Sequence, residues 1–267
     1  MPTDASPSSY EQLQIEQIRA WREKPPGLVE RAAGIALSPI GRMVTGLVPP
    51  AAIEALLRAS DWLAEKTVPA SDRPEDEIDG RPLERLDAEV RAIRHWATAY
   101  ASGEGALAGA AGIAALPIDL PAIVTLSLRT IRRVGTTYGY AGANEQERQF
   151  VYAVLSIASA DSMRQKRSAL DSLHGIETQL LAQSWAVLGE RAARRGVSAE
   201  AALLLARDVA ERLGVNLTKR KALAAMPLIG AAIGATVNGW YMRDIGAAAQ
   251  RAYQERWLKD RGRLPTD

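Results

Sequence analysis

The chain has 267 residues and a mass of 28.8 kDa, enough for one large domain or two small ones with a real core. It has no cysteine, which excludes disulfides, thiolate nucleophiles and cysteine metal sites, and 33 basic against 31 acidic residues leave no global field to draw it onto nucleic acid. Hydrophobic residues make up 47% but aromatics only 5%, so much of the apolar share is Ala, a helix former that buries little surface per residue. These values predict an all-α protein with closely packed helices.

Residues 1–7 read as a disordered tail, and Met1–Gln12 carries neither the basic nor the apolar region of a secretory signal, so a cytoplasmic location is expected. Ser8 with Glu11 has capping-box spacing and opens a helix with apolar positions Leu13, Ile15, Ile18 and Trp21, which Lys24-Pro25-Pro26-Gly27 stops. A second helix is expected from Leu28 to Ser38-Pro39. A third begins at Pro49-Pro50 and carries Ile53, Leu56, Leu57 and Leu63. The N-terminal helices thus occupy 8–68, and the Pro- and acid-rich stretch 69–82 reads as a linker to a main helical domain over 83–260, with a tail at 261–267.

The most regular helix follows the linker. Leu83, Leu86, Val90, Ile93, Ala97 and Tyr100 form one apolar stripe, and Ser102-Gly103 is expected to end it. Residues 104–138 read as a helical hairpin whose arms, Gly105–Leu116 and Ala122–Tyr138, meet at Pro117-Ile118-Asp119-Leu120-Pro121. Gly139 is placed to cap the second arm. Asn144 with Glu147 again resembles a capping box, opening a helix through Phe150, Val151, Val154, Leu155 and Ala158. One or two helices are expected over 162–195, and another from Ser198 to Gly214. A last one runs to about Lys259. No alternating β-branched run suggests a strand.

The last helix contains the longest uncharged run, the 21 residues Ala222–Met242. That length is enough to span a bilayer, but Ala and Gly contribute little to insertion, and Pro227 and Asn238 weaken the case further. Gly105–Leu128 is without charge except for Asp119, which would cost roughly 2.5–3.5 kcal/mol at a membrane centre. Gly230, Gly234 and Asn238 recur at spacing four, which puts them on one face where a second backbone can approach. The expected fold is therefore a multi-helix bundle with two Ala/Gly-rich hairpins, about 104–138 and 217–250, packed together.

Catalytic signatures are sparse. There is no GxSxG elbow, HExxH pair or P-loop, and His95 and His174 lie on separate helices without a second ligand nearby, so no metal or cofactor is expected. Gly103, Gly105 and Gly109 only superficially echo a dinucleotide fingerprint, because a helix and not a strand precedes them. Asp119 is either a cap for the second arm or a buried acid in a hairpin turn. Asn238 is either an interhelical fastener or the lining of a polar cleft. Arg129, Arg132 and Arg133 share one helical face, and Lys219-Arg220-Lys221 precede the uncharged run. Such cations can reach lipid headgroups or simply form a solvated, acid-paired face.

Pro117-Ile118-Asp119-Leu120-Pro121, Tyr138-Gly139-Tyr140, Lys219/Lys221 leading into Pro227-Leu228-Ile229-Gly230-Ala231, and Gly234…Asn238 together resemble the EcsC family over about residues 11–260. The resemblance implies a bacterial, membrane-associated accessory protein linked to transport or secretion, with no established reaction and no catalytic residues to carry over. The first expectation is thus a non-enzymatic helical protein, cytoplasmic and peripheral to the inner membrane. A basic rim of Arg129, Arg132, Arg133, Lys219, Arg220 and Lys221 would face the membrane surface or a membrane-protein partner, with no role for nucleic acid. The alternative is an enzyme or ligand-binding protein with a polar cleft between the hairpins, lined by Asp119, Tyr138, Lys219, Asn238, Arg243 and Asp244. A third reading, a scaffold whose partner binds the Leu83–Tyr100 stripe, requires that stripe to be exposed.

Overall fold

The structure is a computed structural model describing residues 6–26, 50–68, 80–111, 116–141, 144–188 and 230–265. These residues form the helices α1 (Ser9–Glu23), α2 (Pro50–Thr67), α3 (Leu83–Ala111), α4 (Leu116–Thr137), α5 (Glu145–Ala158), α6 (Met163–Leu188) and α7 (Gly230–Asp260). No strand occurs among the described residues, and the fold is all-α. The helices expected at 28–38 and 198–214, the linker stretch 69–79, and Lys219, Arg220 and Lys221 lie outside the described residues.

Local chemistry explains the helix ends. Ser8 and Glu11 form a complete capping box, each side chain bonding the other's backbone N–H. Asn144 caps α5 by accepting from the Glu147 N–H at 2.8 Å, but Glu147 does not reciprocate; its carboxylate is taken by Arg256. Gly139 adopts φ 97° beyond α4, where the Tyr140 N–H reaches the Gly135 carbonyl, and Gly262 adopts φ 65° beyond α7, where the Arg263 N–H reaches Leu258. Both are left-handed caps, a conformation that costs glycine no Cβ clash.

α3 and α7, of 29 and 31 residues, are each roughly 45 Å long at 1.5 Å per residue and form the most extensive pair in the bundle. Their register is antiparallel: Gly239 lies against Ser102 and Thr98, Gly246 against Arg94, and Gln254 against Asp87. α3 does not stop at Ser102-Gly103 as expected but continues to Ala111. The Ser102 hydroxyl bonds back to the Thr98 carbonyl, and the bare backbone of Gly239 leaves room for it. Packing against α7 thereby outweighs the weak local propensity.

A second expectation is also corrected. Pro117–Pro121 does not form a break between two arms, because α4 begins at Leu116 and runs through it. Pro121 lies so near the helix start that it forfeits only the bond to the Pro117 carbonyl. α4 packs on α2, α3, α5 and α7, and α5 packs on α6 and α7. From Gln149 to Ala158 every residue of α5 is buried, so it is the central helix. Tyr253 of α7 fills the core against Tyr138, Tyr140 and Phe150, with ring centroids 4.8–6.4 Å away.

The stripe on α3 is largely core: Leu83, Leu86, Val90 and Ala97 are buried, which removes the scaffold reading, while Tyr100 is exposed. Leu13 and Leu63, expected on the apolar faces of α1 and α2, are exposed as well. Residues 261–265, read as part of a tail, fold back. Arg261 covers Trp257, Arg263 pairs with Glu11, and Leu264 packs on the core.

Candidate functional site

Asp87 falls on the apolar stripe of α3, between Leu83 and Val90, and is 1% exposed. A buried carboxylate must be satisfied by donors, and three elements supply them. Tyr10 of α1 donates at 2.7 Å, Tyr138 at the end of α4 at 2.5 Å, and Gln254 of α7 at 2.7 Å. Burial, followed by the charge of Asp87, pushes the Tyr138 hydroxyl well above its usual range, so it remains a donor. Arg251 extends the cluster to Gln14, Gln17 and Gln254. α1 therefore docks on α3 through the Tyr10 phenol and on α7 through its glutamine amides and the Arg22–Glu255 pair.

Asp61 does the same work on α2. Arg132 of α4 donates to it from Nε (3.2 Å) and Nη2 (2.6 Å), Tyr152 of α5 donates at 3.1 Å, and Arg148 adds an ion pair at 3.2 Å. Arg256 forms a bidentate pair with Glu147 beneath the Tyr140 ring. Lys259 bridges Glu177 and Glu255 at 2.8 Å each, and Arg22 joins Glu255. Each of these buried acids fastens two or more helices, and each has a cation or several donors.

The other end of the bundle differs. Where Gly239 meets Ser102 and Met242 meets Ser127, the helices pass from charged to nearly uncharged sequence; Arg129 and Arg243 are the last cations before the Leu/Ile/Pro-rich end of α4 and the Ala/Gly-rich end of α7. At this border Trp96, Tyr100 and Trp240 are 45%, 47% and 37% exposed. Trp96 stacks on Tyr100 at 5.3 Å, and the Arg133 guanidinium lies 5.7 Å over the Trp96 ring.

Of the residues proposed for a polar cleft, Tyr138 lies far from Asp119. Asp119 lies in α4 and Tyr138 just past its end, nineteen residues on and roughly 28 Å away at 1.5 Å per residue, and Tyr138 is committed to Asp87. They do not share a cleft. Asn238 is buried in α7 and has an interaction partner, while Arg243 is exposed and Asp244 half-buried on the next turn. The Asp119 side chain and Lys219 lie outside the described residues. The basic rim is corrected too: Arg132 points inward to Asp61, leaving Arg129 and Arg133 at the border. Trp96, Tyr100 and Trp240 were missed as a group because they lie on two helices far apart in sequence. The acids at Asp87 and Asp61 had a signal: each is a charge set on an apolar stripe.

Fold and site define an all-helical bundle fastened by buried carboxylates, with an exposed aromatic and cationic border around an Ala/Gly-rich end. The chain belongs to the EcsC protein family, whose model matches residues 12–258. It is similar to the Bacillus subtilis (strain 168) protein named "Uncharacterized protein YdbA", 26% identical over 195 residues, which covers 70% of this chain and 63% of the relative. The chain therefore matches less than two thirds of that relative's length. No solved structure matches. Among the described residues no helix is long and apolar enough to cross a membrane, and no cluster of three or more His, Asp or Glu is arranged to hold a metal.

Proposed function

We propose that this chain is a bacterial accessory protein without chemistry of its own that works at the surface of the inner membrane, in the service of transport or secretion. It docks through the border and the nearly uncharged ends of α3, α4 and α7 beyond it. The observation that carries this reading is the exposure of Trp96, Tyr100 and Trp240 at one level of the bundle. Amphipathic aromatic rings are favoured at headgroup depth, and the flanking arginines suit an anionic leaflet. The accessory role follows the family resemblance, and the buried acids support it by spending their hydrogen bonds on holding helices together.

Sedimentation with vesicles tests the reading. The wild-type chain is expected to pellet with phosphatidylcholine vesicles that contain phosphatidylglycerol, and the triple variant W96A/Y100A/W240A to stay in the supernatant while melting normally. A wild-type chain that ignores such vesicles at low salt would falsify it.

A further inference from the structure

Among the described residues the buried and half-buried cations divide by partner, while others, such as Arg91, Arg167 and Arg243, are exposed. Arg22, Arg132, Arg148, Arg256, Arg263 and Lys259 each contact a carboxylate. Arg94 and Arg251 bond glutamine oxygens. Arg129 and Arg133 have neither, among the described residues. They sit one turn apart on the same face of α4, and burial, followed by the charge of Arg129, lowers the pKa of Arg133. The Arg129 Nε–H is buried with no acceptor. Trp96 lies beneath Arg133 and holds its guanidinium plane by cation–π contact.

Two adjacent guanidinium groups repel each other and cost desolvation, so the arrangement is unfavourable until an anion joins it. Their planar donor forks match the oxygens of a phosphate, which can accept from both at once. We infer that Arg129 and Arg133, flanked by Trp96, form a binding site for a phosphate group, and that this phosphate belongs to an anionic phospholipid headgroup. The inference rests on the membrane reading above for the source of the phosphate, but the site itself does not. The surroundings favour a lipid: the exposed Trp96 lies against Arg133 and stacks on the exposed Tyr100, where a headgroup and the top of its acyl chains would lie.

The test compares the full-length wild type with R129Q/R133Q in two arms: sedimentation with phosphatidylcholine vesicles with or without phosphatidylglycerol, and isothermal titration with inorganic phosphate. The wild type is expected to prefer the anionic vesicles, and the variant to lose that preference by about tenfold while keeping its residual affinity for neutral vesicles. Its melting temperature is expected to be unchanged or higher, since a repulsion is removed. If both proteins bind anionic vesicles equally, the phosphate site is overturned and membrane docking stands. If the wild type binds inorganic phosphate but no vesicles, and the variant binds neither, the headgroup source and the membrane reading both fall and the phosphate site stands. If the wild type binds neither probe, both proposals are overturned. Should the double variant fail to melt cooperatively, R133Q alone carries the same comparison.

Discussion

Arg132 and Arg133 are neighbours in the chain and opposites in the structure. Arg132 is buried against Asp61 and helps tie α2 and α5 to α4. Arg133 lies over an exposed tryptophan at the border, and the charge acting on it is that of Arg129. The same contrast runs through the whole bundle. Its charged half turns acids inward and pairs them, using them as fasteners. At its other end Gly239 packs closely on Ser102, and the bordering Arg129 and Arg133 meet no carboxylate among the described residues. Charge inside this protein serves cohesion, and charge at the border is left over for something else.

The largest expected effect would break the first side of that contrast. Replacing Arg132 with alanine leaves the buried Asp61 with only Tyr152 and the half-exposed Arg148 among the described residues and should cost up to about 3–5 kcal/mol of stability in urea denaturation, whereas Arg133→Ala should cost less than about 1 kcal/mol. Equal losses would end the distinction between fastener and border cation. A smaller effect tests the close packing. A Cβ at Gly239 would collide with the Ser102 hydroxyl, so Gly239→Ala should cost about 1–3 kcal/mol, and much of that should vanish in the Ser102→Ala background. Additive losses would show that α3 and α7 are not in contact at that level.

The smallest effect is a pH dependence. Lys166 is buried between the Trp21 and Lys24 carbonyls, and burial, followed by the charge of Lys24, lowers its pKa to about 8. The native state then holds fewer protons than the unfolded chain from about pH 8 up to the ordinary lysine range near 10.4, so this residue's contribution to stability rises with pH through that window. Melting curves of wild type and Lys166→Met should diverge in favour of the wild type between neutral pH and about pH 10. Parallel curves would mean that Lys166 titrates as an exposed lysine.

Much of the helical framework could be read along the chain. Ser8 with Glu11, Asn144 and Gly139 mark helix ends through bonds spanning only a few residues, and those bonds form as the spacing requires. The stripe Leu83–Ala97 likewise announced its buried face. The misreadings at Ser102-Gly103 and Pro117–Pro121 share a cause. Both apply the local preference of Gly or Pro where helix packing, or a position near a helix start, lowers its cost. Glu147 was legible as a capping partner only until Arg256, distant in sequence, outcompeted the backbone N–H with two charged hydrogen bonds.

The sequence by itself determined that this is an all-helical protein, where several helices begin and end, and which family it resembles, because those properties depend on periodicity, caps and the order of short motifs. Only the tertiary structure decided what the charges do. Whether an arginine meets an aspartate or an exposed tryptophan depends on which helix crosses its own at that level, and a one-residue step along α4 rotates a side chain by about 100°, from the core to the border.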